Sequence, residues 1–447
     1  MRSVALHNLG CKVNAYELDY MQQVLREKGY KIVSFDEAAD IYIVNTCTVT
    51  NIADRKSRQM LHRARKRNPD AVVVAVGCYV QTGIGKLTED GTVDLAIGNN
   101  RKKDLAEILE AYLEAQQEAK ARAGRDLLPP VIDRIDIDHA PYEEMTIKRT
   151  AGHTRAYCKI QDGCNQFCSY CVIPYARGRV RSRDREGIVR EAEGLARAGY
   201  REIVLTGIHI SSYGLDRGGS ELPALLREIS GVEGISRIRL GSLEPGIVTE
   251  DFAADISALP KVCPHFHLSL QSGSDTVLRR MNRRYDTADY REAVEILRKF
   301  YENPAITTDV IVGFPGETEE EFLQTESFLR QIGFYEMHIF KYSRREGTRA
   351  ARMEGQLTEA EKAERSERLQ RLEEEMSYAY RESFLGRREE LLFEETAKIG
   401  GKTYWIGHTP HYIRAAKEAA LEGNLRNQLC FCKLTGFLEK EILLVGT

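Results

Sequence analysis

Cys164, Cys168 and Cys171 stand in a C-x3-C-x2-C spacing, directly after a short apolar run that reads as a strand. Three thiolates on one short loop suit three irons of a 4Fe-4S cluster and leave the fourth iron open for chemistry. Zinc asks for a fourth ligand and usually takes paired C-x2-C units, and no second pair follows here. The plainer alternative is a structural metal knuckle.

Cys11, Cys47 and Cys78 are far apart in the chain, yet each closes an apolar run: Leu9-Gly10-Cys11, Val44-Asn45-Thr46-Cys47 and Val76-Gly77-Cys78. The C-terminal ends of neighbouring parallel strands lie together, so three such thiols can converge on one point. The residues alone leave a second reading open, that each is a small buried hydrophobe at a strand end. Cys158, Cys263, Cys430 and Cys432 form no ligand-like group and read as core filling, with Cys430 and Cys432 on one face of a strand.

The elements that must position these residues follow from the hydropathy pattern. Ser3 to Leu9, Ile41 to Asn45 and Ala71 to Val76 read as strands, with amphipathic helices over Ala15 to Lys28 and Ala53 to Arg67, which makes a small α/β domain with a parallel sheet. A helix over Lys103 to Arg122 precedes a Pro-containing stretch, 128–141, that reads as a linker. Six β/α units then follow, with strands over Ala156-Ile160, Glu202-Thr206, Arg237-Leu240, His265-Leu270, Thr307-Val312 and Glu336-Tyr342, the pattern of a partial parallel barrel. Such barrels place chemistry at the C-terminal ends of their strands. Thr358 and Glu361 form a capping box for a long helix, and the last ~65 residues break into short strands that read as a small β-barrel.

The chain has 447 residues, is 42% hydrophobic and 29% charged, and carries ten cysteines and a net charge of −3. These values describe a globular protein of about three domains and exclude disorder or a collagen-like repeat. No apolar stretch approaches the ~20 residues of a membrane span, and the expectation is a cytoplasmic protein whose thiols stay reduced. Charge is uneven: Ile52 to Asn68 holds seven Lys/Arg against one Asp, and Ile147 to Arg185 holds nine against two. Arg177, Arg179, Arg181 and Arg183, directly after the cysteine loop, are therefore candidates for nucleic-acid phosphates, as against a solvated loop.

Together the two cysteine sets resemble the radical S-adenosylmethionine (SAM) methylthiotransferase family over essentially the whole chain. Further motifs carry the resemblance: Pro174-Tyr175-Ala176-Arg177-Gly178, Thr206 to Gly214, His267 to Ser274 and Thr308 to Thr318. The family's branches act on tRNA carrying isopentenyladenosine, on tRNA carrying threonylcarbamoyladenosine, and on an aspartate of a ribosomal protein. The cysteine loop with Pro174-Tyr175-Ala176-Arg177-Gly178 is most similar to the threonylcarbamoyladenosine branch, the isopentenyl branch more often having Thr where Ala176 stands. His209 is a departure, since Asn is expected there.

The resemblance implies an N-terminal methylthiotransferase domain (1–125), a partial (β/α)6 radical SAM core (145–375) and a C-terminal TRAM RNA-binding domain (376–447). It implies two 4Fe-4S clusters, one on Cys164, Cys168 and Cys171 that binds SAM, the other on Cys11, Cys47 and Cys78 that holds the transferred sulfur. Radical insertion of a methylthio group at carbon 2 of the adenosine at position 37 of tRNA would follow. Tyr170, Gly207, Glu244, Gln271 and Asp309 are the expected SAM-pocket residues, and Arg177, Arg179, Arg181, Arg183 and Arg414 the expected RNA contacts, with Tyr404, Trp405 and Tyr412 as weaker stacking candidates. The implied partners are a tRNA anticodon loop and a flavodoxin- or ferredoxin-like electron donor, with no membrane. A reading of another class is a non-catalytic RNA-binding protein with structural metal.

Overall fold

The computed structural model describes residues 2–123, 129–150, 152, 154–419 and 423–446. The chain opens on a parallel sheet of six strands: β1 (Ser3–Asn8), β2 (Lys31–Val33), β3 (Ile41–Thr46), β4 (Val72–Gly77), β5 (Leu95–Ile97) and β6 (Val131–Asp133), in the order β2-β1-β3-β4-β5-β6. Helices α1 (Lys12–Glu27), α2 (Asn51–Arg67), α3 (Cys78–Glu89) and α4 (Leu105–Ala123) connect them. Every residue of β3 and β4 is buried, as a central strand covered on both faces requires, and this is why IYIVNT and VVVAVG are apolar without alternation. The stretch expected to be only a linker contributes the sixth strand, Val131 pairing opposite Leu95. Three residues are too short for periodicity to register, which also hid β2 and β5.

The second unit has strands β7 (Ala156–Lys159), β10 (Glu202–Thr206), β11 (Arg237–Leu240), β12 (His265–His267), β13 (Ala305–Val312) and β14 (Glu336–Lys341). They form two three-stranded parallel sheets, β11-β10-β7 and β12-β13-β14. Single bridges Ile238 to Val262 and Leu243 to Leu268 join the two, so the six strands make one open wall in chain order. A short antiparallel pair, β8 (Gln161–Asp162) and β9 (Arg181–Ser182), clasps the base of the cysteine loop, with α5 (Ile173–Arg177) between them in sequence. One large apolar cluster, including Ile203, Leu205, Ile238, Phe266 and Val310, packs this wall against its helices.

The helix Glu359–Glu382, opened by the Thr358/Glu361 capping box, leads to a closed barrel of β15 (Arg388–Ile399), β16 (Lys402–His408), β17 (Arg414–Glu418), β18 (Leu429–Glu439) and β19 (Ile442–Val445). This barrel docks on the open wall through two buried arginines of β11. Arg237 donates to Glu390 O at 2.6 Å and His408 O at 2.9 Å, and Arg239 to Pro410 O at 2.9 Å. Burial alone would raise the Glu202 carboxyl beneath them, but Arg239 leads the guanidinium groups that bring it down to about 2. Tyr412 stacks on His265 and His408 at 4.9 and 4.8 Å in the same contact, so it is a packing residue of this interface. Among the described residues no helix is long and apolar enough to cross a membrane.

Candidate active site

The sheet order puts β1, β3 and β4 side by side, and the three thiols follow their C-terminal ends. Asn8 pairs with Asn45 and Thr46 with Gly77, so Cys47 and Cys78 leave adjacent strands at the same level. Gly10 has φ 101°, and a Cβ there would lie 2.9 Å from Cys47 Sγ, so glycine is what lets the first thiol loop approach the second. Cys47 N donates to Ser57 Oγ at 3.2 Å while Ser57 Oγ donates back to Cys47 O at 3.0 Å, which fixes that turn on α2. Burial pushes the Cys47 thiol up to about 11, with Cys78 and Cys11 adding to the rise, as expected of three thiols facing one another. Cys11 is exposed whereas Cys47 and Cys78 are buried.

The loop triad is held by local bonds. Cys164 N donates to Gly178 O at 3.0 Å and Cys171 N to Cys168 O at 3.0 Å. Burial, then Cys168, raises the Cys171 thiol to about 12. Backbone N–H groups point at the sulfurs: Gln166 N at Cys164 Sγ, 3.5 Å, and Ile173 N at Cys171 Sγ, 3.4 Å. Asn99 Nδ2 does the same for Cys78 Sγ at 3.4 Å. Donors aimed at sulfurs that burial disfavours as free thiolates suit both triads to iron, whose positive charge offsets that burial.

Three of the five expected SAM-pocket residues share one hydrogen-bonded group. Tyr170 Oη donates to Gln271 Oε1 at 3.1 Å and accepts from Arg283 at 2.9 Å, and Arg283 also reaches Glu244 Oε1 at 2.9 Å. Gln166 Nε2 donates to Glu244 Oε2 at 2.7 Å, and His209 Nε2 lies 3.1 Å from the same oxygen. Burial would raise Glu244, but His209 and Arg283 hold it below its ordinary value. His209, the departure from the expected Asn, thus braces Glu244, while Arg283 lies outside the motifs that carry the resemblance. Gly207 packs on Gln161, where a Cβ would meet Gln161 Oε1 at 2.9 Å. Asp309 turns elsewhere, its carboxylate 3.4 Å from His267 Nε2.

The arginine run is the main correction. Arg177, Arg181 and Arg183 were expected on phosphates, but all three are buried. Arg177 bonds Glu17 Oε1 at 2.9 Å, Asp162 Oδ2 at 3.1 Å and Asn14 Oδ1 at 2.6 Å; Arg181 bonds Ile137 O at 3.1 Å; Arg183 bonds Glu144 at 2.6 Å and also Glu191. Lys159 joins Glu17 at 2.8 Å and Asp162 at 2.6 Å, and Lys102 also pairs with Glu17. The physical reason is that buried carboxylates of α1 and β8 need counter-ions, and these basic residues supply them across the seam of the first two units. Burial alone would raise Glu17, yet Arg177, Lys102 and Lys159 hold it well below the carboxylate range. Arg179 alone of the four is exposed, 51% of its side chain, lying over the Phe167 ring at 4.6 Å. Arg414 is half-buried on β17, opposite His408. On α2, Arg65 pairs with Asp94 at 2.5 Å and Arg58 donates to Tyr79 Oη at 2.7 Å.

The Radical SAM superfamily matches residues 158–329, and the family described as Uncharacterized protein family UPF0004 matches residues 3–98. The threonylcarbamoyladenosine tRNA methylthiotransferase MtaB of Bacillus subtilis (strain 168) is 40% identical over 417 residues, covering 93% of this chain and 90% of its own. The protein of the same name from Aquifex aeolicus (strain VF5) is 41% identical, covering 90% and 95%. The chain belongs to the radical SAM tRNA methylthiotransferases. Another member of these tRNA methylthiotransferases, the tRNA-2-methylthio-N(6)-dimethylallyladenosine synthase of Acetivibrio thermocellus, is 34% identical and covers 94% and 87%. In fold the chain is similar to the radical S-adenosylmethionine methyltransferase TsrM of Kitasatospora setae, with a TM-score of 0.54, 19% identity and coverage of 76% and 75%.

Proposed function

We propose that this methylthiotransferase acts on carbon 2 of N6-threonylcarbamoyladenosine at position 37 of tRNA. The observation that carries the reading is identity of 40 and 41%, over nine-tenths or more of both chains, to enzymes named for that modified base. In this reading Cys164, Cys168 and Cys171 hold the 4Fe-4S cluster that meets SAM, and Cys11, Cys47 and Cys78 hold the second cluster. Bound there, the clusters and SAM supply a carbon-centred radical and a transferable sulfur, chemistry that no side chain of the protein provides.

The protein's own residues bind and orient. Glu244, an anion braced by His209 and Arg283, accepts the SAM ammonium, and Tyr170 and Gln271 close the same pocket. The buried ions around Glu17 tie the two cysteine sites into one rigid body, so the reacting carbon meets both sources without a large domain motion. Arg179 beside Phe167, and Arg414 on the C-terminal barrel, are the arginines left to meet RNA phosphate. Reducing equivalents come from a small flavodoxin- or ferredoxin-like donor.

The test is incubation of the reconstituted enzyme with SAM, a reductant and anticodon stem-loops carrying either modified adenosine, followed by nucleoside mass spectrometry. Methylthio product on the threonylcarbamoyl RNA is the expected result. Product on the isopentenyl RNA alone would overturn the reading.

A further inference from the structure

Helix α5 is a fixed mount for one exposed ring. Its Pro174, Ala176 and Arg177 are buried, whereas Tyr175 is 57% exposed. The backbone under that ring is held on each side: Tyr175 N donates to Val172 O at 3.0 Å, Asn99 Nδ2 donates to Ala176 O at 2.7 Å, and Arg177 is paired with Glu17. Phe167, from the cysteine loop, sets its ring nearly perpendicular to Tyr175, with centroids 5.8 Å apart and planes at 79°. Its φ of 49° lies in the left-handed region, and Asn282 Nδ2 donates to its carbonyl at 3.1 Å. A bulky residue kept there against strain points to a use for the placement of its ring. Arg179 covers the Phe167 ring at 4.6 Å, and its pair with Asp138, at 3.8 Å with both side chains half exposed, is loose enough for a phosphate to replace.

Tyr175 also edges a cleft of about 580 Å³ between the first two units, lined by Tyr79, Thr82, Val172 and Arg345 among others. Tyr79 directly follows Cys78 and Val172 directly follows Cys171, so the cleft borders both cysteine sites. Arg345 fastens its two sides, donating to Asp54 Oδ2 at 2.6 Å and Thr48 Oγ1 at 2.7 Å. Arg55 and Arg344, chain neighbours of the lining residues Asp54 and Arg345, are exposed. Exposed rings set among cations suit a polyanion that presents unpaired bases.

An enzyme that does chemistry on a ring atom of a nucleic-acid base reaches it once that base has left its stack, and the neighbour left behind loses a stacking partner. We propose that Tyr175 is a positioning residue for tRNA: its ring stacks on the anticodon-loop base next to the target adenosine, Phe167 fixes the angle of that ring, and Arg179 meets the adjoining phosphate. The inference rests on the position-37 reading above and deepens it. A tyrosine on a fixed backbone offers a large flat face at little cost in side-chain freedom. Every base has such a face, so one ring serves tRNAs that differ at the flanking position.

The test measures binding of threonylcarbamoyl anticodon stem-loops to the reconstituted enzyme by fluorescence anisotropy, using intact RNA and RNAs abasic at the nucleotide on either side of the target. For wild type, one of the two abasic RNAs should bind about tenfold more weakly than intact RNA. Tyr175→Ala, with iron content as the check on loading, should bind intact RNA about tenfold more weakly and lose nothing further with that abasic RNA. Tyr175→Phe should bind as wild type does. Equal binding of all three RNAs by wild type overturns the proposal, and this decides it even if Tyr175→Ala loads iron poorly. Independent, multiplying losses from the variant and the abasic site also overturn it. So does normal RNA binding by Tyr175→Ala with cluster reduction slowed only when the electrons come from a flavodoxin, which would make this surface the donor's. No methylthio product from wild type on intact RNA would instead defeat the substrate reading itself.

Discussion

Cys164, Cys168 and Cys171 come from eight consecutive residues, whereas Cys11, Cys47 and Cys78 are assembled by three adjacent parallel strands. The first set is ordered by bonds within its own loop, such as Cys164 N to Gly178 O. The second depends on strand register and on Gly10 passing Cys47 without a Cβ. A local site survives damage elsewhere in the molecule; a site made by register fails with its sheet. The contrast implies that the two can be inactivated separately, and that the ion network between them is what keeps their spacing.

The largest effect should come from the loop. Replacing Cys164, Cys168 and Cys171 by Ala should abolish reductive formation of 5′-deoxyadenosine from SAM, measured by chromatography, because this loop also carries Gln166 and Tyr170, which bond into the Glu244 group. Persistent 5′-deoxyadenosine would mean the loop does not hold the SAM-cleaving cluster.

Next is the seam. Glu17→Gln removes one charge from a buried group in which Lys102, Lys159 and Arg177 all contact Glu17, and should cost about 3–5 kcal/mol in thermal or denaturant unfolding. An unchanged midpoint would show that the network contributes nothing to holding the two sites together.

The C-terminal barrel provides a pH-dependent version of the same comparison. The Glu202 carboxyl falls from 4.5 to about 2 in the folded protein, so folding favours its ionised form. That contribution is complete above about pH 4.5 and is lost as pH falls towards about 2, on the order of 3 kcal/mol in total. Glu202→Gln should flatten the acid limb of the stability curve across this window, read by circular dichroism; an unaltered acid limb would remove Glu202 from the account.

The smallest effect distinguishes exposed from buried arginine. Arg179→Ala should weaken tRNA binding modestly and reduce the logarithmic salt slope by roughly 0.7 to 0.9, the loss of one phosphate contact. A slope equal to wild type would place Arg179 off the RNA path.

The same contrast explains what the sequence made legible. The loop triad was readable because its spacing is its geometry. The N-terminal triad stayed open until the register of β1, β3 and β4 was known, since a thiol at a strand end looks the same whether it ligates or packs. Helix α2, the β3 and β4 runs and the Thr358 capping box followed from periodicity and composition. Charge was the poorest guide. Arg177, Arg181 and Arg183 look like an RNA-binding run because alternation along a chain says nothing about buried carboxylates such as Glu17 and Glu191, which lie distant in sequence or on a helix face.

The separation of the two sites is tested most directly by replacing Cys11, Cys47 and Cys78 together with Ala and measuring iron, 5′-deoxyadenosine and methylthio nucleoside on the same preparation. Iron should fall from about eight to about four per chain, 5′-deoxyadenosine should still form, and methylthio product should vanish. A folded triple variant that keeps about eight irons and still methylthiolates tRNA would contradict the account.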